Sequence, residues 1–308
     1  MDLGIISEHN EKNGFYAFLG VIKFHTERFL VLVDKVLDFG SIFGDPLSKI
    51  YQIKGVCLIS LSYNINYSLL PKNTRFFISE IRKVLTQGMY FSYHYDLTNT
   101  LQRAATLSGR GKTLYDIADA TYMWNKQLCE DLTKIDTKWL VTTIKGYTRI
   151  RNIEVKGKQL RLVLISRRSN KGVGVWPNAG VDVEGNVANG IENEQLILYD
   201  NNVYSFVQIR GSVPVYWSKD SSGIKILKSA KESFAALSKH FDQLVNSYKH
   251  VIIFNLLGKA EEGKLIKAFE ECESMYEKGK VTVKYCHYDI DTESQKVNIS
   301  NSYRNPMV

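Results

Sequence analysis

The chain has 308 residues, 44% of them hydrophobic and 23% charged, with a formal net charge of +8. That length supports one or two domains with a substantial core, and the composition is that of a globular protein, not of a disordered or fibrous one. No apolar run approaches the roughly 18 residues of a spanning helix, the longest being Val251–Leu257, and Met1–Asn10 lacks the basic-then-apolar order of a secretory signal, so membrane contact is expected to be peripheral.

Phe15–Asp34 holds two apolar, β-branched and aromatic stretches around a polar turn at His25–Glu27, which predicts a β-hairpin. Strand-like pieces follow at Lys49–Ile53 and Gly55–Ser62. Asn73 and Thr74 are candidate caps for a helix whose apolar positions are Phe77, Ile81, Val84 and Leu85, closed by Gly88. Met89–Asp96 is rich in aromatics, and Leu97–Leu107 has a weaker helical pattern. Two more strands are expected over Trp139–Arg149 and Gln159–Ile165, turning near Lys156–Gly157–Lys158. Glycines then dominate Gly172–Gly190, which reads as loops and turns.

Beyond them the pattern changes to helix over Ser229–Tyr248, strand over Val251–Leu257, helix over Gly263–Tyr276 and strand over Val281–Tyr288. Such alternation predicts the opening of a parallel α/β unit. The expected fold class is therefore α+β, an antiparallel-sheet subdomain over residues 1–150 followed by a partial α/β subdomain over 151–290 and an irregular tail over 291–308.

The charge is local. Eight basic residues lie between Arg149 and Lys171 against a single acid, Glu154. Phosphate oxygens accept charge-assisted hydrogen bonds, and an arginine fork meets two at once. Arg167, Arg168 and Lys171 stand where a strand gives way to glycines whose amides can approach an anion. Those three, with Arg210, are the candidate anion-binding residues. The competing reading is that these arginines pair with carboxylates such as Glu192 and Glu194. Nucleic acid is not an expected partner, because no stacking aromatics interleave the basic run.

Other chemistry is thin. Ser108–Thr113 (SGRGKT) lacks the glycine that a phosphate-binding loop requires at the position of Thr106, and reads as a turn. The six histidines and four cysteines are not spaced as metal ligands, so no metal or cofactor is implied. The cysteines form no CxxC pair and read as reduced thiols.

Val163–Gln195 (VLISRRSNKGVGVWPNAGVDVEGNVANGIENEQ) and Ser205–Ser218 (SFVQIRGSVPVYWS) resemble the signature region of the Sac family of phosphoinositide phosphatases. The resemblance continues through Gly14–Phe24, Tyr90–Arg103 (YFSYHYDLTNTLQR), Met123–Asn125 and His240–Asn255. The opening segment and the spacing through Lys23–Tyr51 are similar to the branch acting on phosphatidylinositol 3,5-bisphosphate at endosomal or vacuolar membranes. The resemblance implies a cytoplasmic phosphoric monoester hydrolase peripheral to those membranes, phosphoinositide headgroups as ligands, and a lipid-kinase and scaffold complex as partners.

That family's chemistry implies a cysteine in a C-x5-R loop, whose thiolate attacks phosphorus while loop amides and the arginine hold the developing charge. Six residues beyond Cys57, Cys129, Cys272 and Cys286 stand Tyr63, Ile135, Lys278 and Thr292. In the family the loop lies further along than Tyr288, so no catalytic residue is assigned here and the chain is expected to be inactive alone, as a fragment, truncated product or pseudoenzyme. Val173–Ala179 (VGVWPNA) also departs from the family's usual basic pattern. The alternative expectation is a non-catalytic phosphoinositide-binding or scaffold module.

Overall fold

The computed structural model describes residues 14–61, 70–107, 112–172, 180–276, 283–290 and 292. Val173–Ala179, most of SGRGKT and nearly all of the 291–308 tail lie outside them. The contacts divide the chain into two compact units, Met1–Asn170 with Ile191–Ile209, and Lys171–Gly190 with Arg210–Val308. This division falls later than a boundary near Arg151, because a hairpin of ten consecutive residue pairs ties Gly146–Val155 to Lys158–Arg167.

The first unit is built on an eight-stranded sheet in sequence order: β1 (Ala17–Phe24), β2 (Glu27–Ser41), β3 (Lys49–Ser60), β4 (Met89–Phe91), β5 (Thr143–Val155), β6 (Lys158–Arg168), β7 (Ile191–Tyr199) and β8 (Asn202–Arg210). The registered pairs from β1 to β7 are all antiparallel. The expected pieces Lys49–Ile53 and Gly55–Ser62 are one strand. Tight turns explain the order: β5 and β6 are joined at Lys156–Gly157, β7 and β8 at Asp200–Asn201, and all four residues have positive φ as the favoured two-residue hairpins require.

Helix α1 (Lys72–Thr86) buries Thr74, Ile78 and Leu85 against the sheet, and its Phe77 ring stacks on Phe24 of β1 with centroids 4.0 Å apart. Its start differs from expectation. Pro71 occupies the N-cap and no side chain caps the helix, so Asn73 and Thr74 lie inside it. Proline's fixed φ, here −53°, suits this boundary. The core below includes Phe29, Val31 and Val33 of β2 with Ile53, Val56 and Leu58 of β3. A second core lies on the inward face of β5–β7, where Ile144, Val163, Ile165 and Leu196 meet Ile42, Ile50 and Leu97. The other α-helices among the described residues of this unit are single turns: α2 (Leu101–Ala104), α3 (Leu114–Ile117) and α4 (Lys126–Cys129).

In the second unit, β9 (Trp217–Asp220) and β10 (Gly223–Ile226) form a hairpin. Helices α5 (Ala230–Tyr248) and α6 (Lys259–Glu273) pack around Leu237, Phe241, Leu265 and Phe269. Strands β11 (Val251–Asn255) and β12 (Val283–His287) pair in parallel, as the strand–helix–strand pattern predicts. Together the two units make an α+β fold.

Candidate functional site

Two clusters gather the conspicuous polar residues, one in each unit. In the first, the segment before α2 folds back on itself. Asp96 accepts from the Thr98 amide and hydroxyl (2.9 and 2.6 Å) and from Asn99 Nδ2 (2.6 Å). Thr100 caps α2 by accepting from the Arg103 amide at 3.1 Å. These local turns aim Arg103 at β7, where its Nη2 donates to both oxygens of Glu192 at 3.0 and 3.1 Å while its Nε donates to Asn99 Oδ1 at 2.7 Å.

Arg167 enters the same cluster from β6. It has no exposed surface and is prominent among the largest fully buried side chains. Its Nη2 donates to Glu194 Oε2 at 2.6 Å and to the Asn99 carbonyl at 2.8 Å, its Nε to the Leu97 carbonyl at 2.5 Å, and its Nη1 to Glu192 Oε1 at 3.4 Å. Glu194 also accepts from the Leu101 amide and the Ser205 hydroxyl. Burial, with Glu194 nearby, pushes the Tyr95 phenol above its ordinary pKa. With Asp119, which lies 3.5 Å from Arg103, three carboxylates face two guanidiniums. The cluster's donors are turned inward and its charge disfavours a phosphate. Pairing with Glu192 and Glu194 holds Arg167 inside, the arrangement that the competing reading of the arginines describes.

The second cluster joins Gly180–Gly190 to α5. Asp182 organises the loop, accepting from the Glu184 and Asn186 amides (2.9 and 2.8 Å) and from Asn186 Nδ2 (2.9 Å). Three successive loop carbonyls, of Val183, Glu184 and Gly185, are taken by Lys239 Nζ, Gln243 Nε2 and His240 Nδ1 at 2.7, 2.8 and 2.9 Å. Gly185 has φ +83°, and a Cβ there would strike the His240 backbone. The segment after β8 closes on the same loop, with Ser212 Oγ accepting from the Gly180 amide and Ser212 N donating to the Ala188 carbonyl.

His240 is half-buried, and desolvation lowers its pKa while the Gly185 carbonyl offsets only part of that. Because the folded state binds this proton less readily than the unfolded chain, its contribution is present above the ordinary value of 6.5 and declines as pH falls below it. The second unit is expected to unfold at lower urea at pH 5.5 than at pH 7.5. Replacing His240 with Gln should flatten that difference, measured by urea titration at the two pH values.

Residues 16–295 match the SacI homology domain. The chain belongs to the Sac-domain phosphoinositide phosphatase family. It is 34% identical over 231 residues to human phosphatidylinositide phosphatase SAC2, an alignment covering 63% of this chain and 20% of that protein. It is 28% identical over 291 residues to phosphatidylinositol-3-phosphatase SAC1-A of Danio rerio, covering 91% and 49%, and 31% identical over 267 residues to phosphoinositide phosphatase SAC2 of Arabidopsis thaliana, covering 80% and 32%. The chain thus spans about half or less of the length of these relatives.

In this Sac-domain chain the conspicuous blocks serve architecture first. Asp96–Arg103 and Glu192–Glu194 bind one another through arginines, and Asn125 is a buried clamp whose Nδ2 donates to the Leu19 and Val141 carbonyls while its Oδ1 accepts from the Thr143 amide. Sequence reasoning assigned no role to Arg103, Asn125 or Asp182; their place in quoted motifs was the only signal. The other candidate residues sit differently from Arg167. Arg168 ends β6 and is exposed, and Lys171 and Arg210, both of the second unit, are also exposed. Trp217 packs in the α5–α6 core and donates to the Val213 carbonyl.

No group of three or more potential metal ligands occurs among the described residues. None of their helices is long and apolar enough to cross a membrane. Cys57, Cys129 and Cys272 are buried, and burial pushes the Cys129 thiol up to about 12 and that of Cys272 to about 11. Such thiols are protonated at neutral pH and poor nucleophiles.

Proposed function

We propose that this chain is the headgroup-binding portion of a phosphoinositide phosphatase, and that by itself it binds phosphoinositides without hydrolysing them. What supports the reading is the family match across residues 16–295 combined with the state of the cysteines: none has an arginine six residues on, and two have strongly raised thiol pKa values. A C-x5-R thiolate must be supplied from elsewhere for monoester cleavage.

Arg168, Lys171 and Arg210 are the residues assigned to the phosphates, as exposed cations beside glycine-rich segments. Arg167 holds β6 to β7. The names of the relatives, one a phosphatidylinositol-3-phosphatase, favour a phosphorylated inositol ring as ligand. Within that class the 3,5-bisphosphate, on endosomal or vacuolar membranes beside a lipid kinase and its scaffold, is the assigned setting. The alternative of a binding or scaffold module differs only in whether a catalytic segment ever joins the chain.

The test has two arms. Purified protein is expected to release no phosphate from short-chain phosphatidylinositol 3,5-bisphosphate or from the monophosphates, and released phosphate would overturn the inactivity. In flotation, vesicles with phosphoinositide should retain more protein than neutral ones, and Arg168→Ala with Lys171→Ala should lower retention by about fivefold per residue. Unchanged retention would remove the assignment of these residues.

A further inference from the structure

Along β5, alternation sends Ile144, Thr148 and Ile150 to the core and Tyr147, Arg149, Arg151 and Ile153 to the opposite face. The register continues that outer face onto β6, setting Leu164 opposite Arg149, Leu162 opposite Arg151 and Leu160 opposite Ile153. On β7 the outward residues are Asn193, Gln195 and Ile197, since Glu192, Glu194 and Leu196 are buried. Ser205 of β8 reaches Glu194 on the inward side, so Tyr204 and Phe206 project outward, at 57% and 58% exposure.

No strand position on the outer face of β5–β8 carries a carboxylate. Arg149 and Arg151 are exposed and have no acidic partner among the described residues. Lys158, at the hairpin end, lies over the Tyr199 ring at 5.1 Å. An ordinary solvated face mixes both signs of charge and keeps large apolar groups apart. This face instead combines one sign of charge with a row of leucines and outward aromatics.

We propose that the outer face of β5–β8 docks on an anionic bilayer surface, its arginines among the headgroups and Tyr147, Ile153, Tyr204 and Phe206 at the headgroup–acyl boundary. It rests on the reading above only in placing the protein at a membrane, and adds the face that meets it. Charge complementarity selects an anionic surface, and each Lys or Arg near such a surface contributes about fivefold in affinity. Nucleic acid fits less well. Successive bases need a continuous run of rings beside the cations, whereas Leu160, Leu162 and Leu164 separate Arg149 and Arg151 from Tyr204 and Phe206, which stand three strands, about 14 Å, away.

The test is flotation of the full 308-residue chain with phosphatidylserine-rich vesicles containing no phosphoinositide, against phosphatidylcholine alone. Binding to the first and not the second is expected, weakening as salt is raised. Arg149→Gln with Arg151→Gln should lower affinity about thirtyfold while circular dichroism stays unchanged. Tyr204→Ser with Phe206→Ser keeps every charge and should remove the binding that survives high salt. Lys171→Ala, outside β5–β8, should leave phosphatidylserine binding intact, so its failure to alter phosphoinositide preference counts against the headgroup reading alone. Equal binding to neutral vesicles, indifference to both outer-face pairs, or retention of an RNA oligonucleotide in place of vesicles would overturn the proposal.

Discussion

Replacing Arg167 with methionine is expected to destabilise the first unit by about 3–5 kcal/mol, the range for removing one partner of a buried ion pair. Methionine fills much of the volume, so the loss is electrostatic: Glu192 and Glu194 stay buried at 0% exposure without the guanidinium between them. The carbonyls of Leu97 and Asn99 lose their donor as well, and an orphaned buried acceptor adds to the penalty. Arg168→Met, one residue on and exposed, should shift the urea midpoint little, by about 0.5 kcal/mol or less. Pairing Arg167→Met with Glu194→Gln should return part of the loss, a coupling that a double-mutant cycle reads directly. Equal midpoints for the Arg167 and Arg168 variants would show that the network does not hold the unit together.

This contrast marks where the sequence was legible and where it was not. The Phe15–Asp34 hairpin declared itself as two apolar stretches around a polar turn, and the helix at Lys72–Thr86 through apolar residues at helical spacing. The parallel pairing of β11 with β12 followed from the long helical crossover between them. Strands β7 and β8 escaped notice for a physical reason. The inward positions of β7 include Glu192 and Glu194, and most of β8 is exposed, so neither shows apolar alternation. The pairing that makes those carboxylates tolerable comes from Arg167 and from Arg103, distant in sequence, and only the alternative of an Arg167–glutamate pair was visible beforehand.

The same reasoning separates Arg167 from Arg168. Adjacent residues on a strand face opposite ways, so one of the two arginines had to turn inward once β6 became a strand between two neighbours. Which one was fixed by register: Arg167 pairs across from Gly146 on one side and Glu192 on the other. A motif of consecutive arginines is therefore half architecture and half surface. Phosphoinositide recognition, as proposed, draws only on the outward half.

Gly20→Ala is expected to cost about 3–5 kcal/mol, as backbone strain and overpacking add. Gly20 sits at a bulge in β1 with φ +132°, and a Cβ there would collide with the backbone carbonyl of Leu128 in α4. The close approach is what lets Asn125 Nδ2 and Cys129 Sγ reach the Leu19 carbonyl at 3.1 and 3.4 Å. Pushing α4 away would break both bonds and open the buried cluster of Met123, Cys129 and Leu140. Gly40 isolates the conformational part. Its φ is +90° but a Cβ would meet nothing within 4 Å, so Gly40→Ala should cost about 1–2 kcal/mol, from strain alone. Urea unfolding of the two variants should therefore separate by about 1–4 kcal/mol. A difference near zero would mean that α4 moves off β1 freely, and that the Asn125 clamp contributes little to the sheet's first edge.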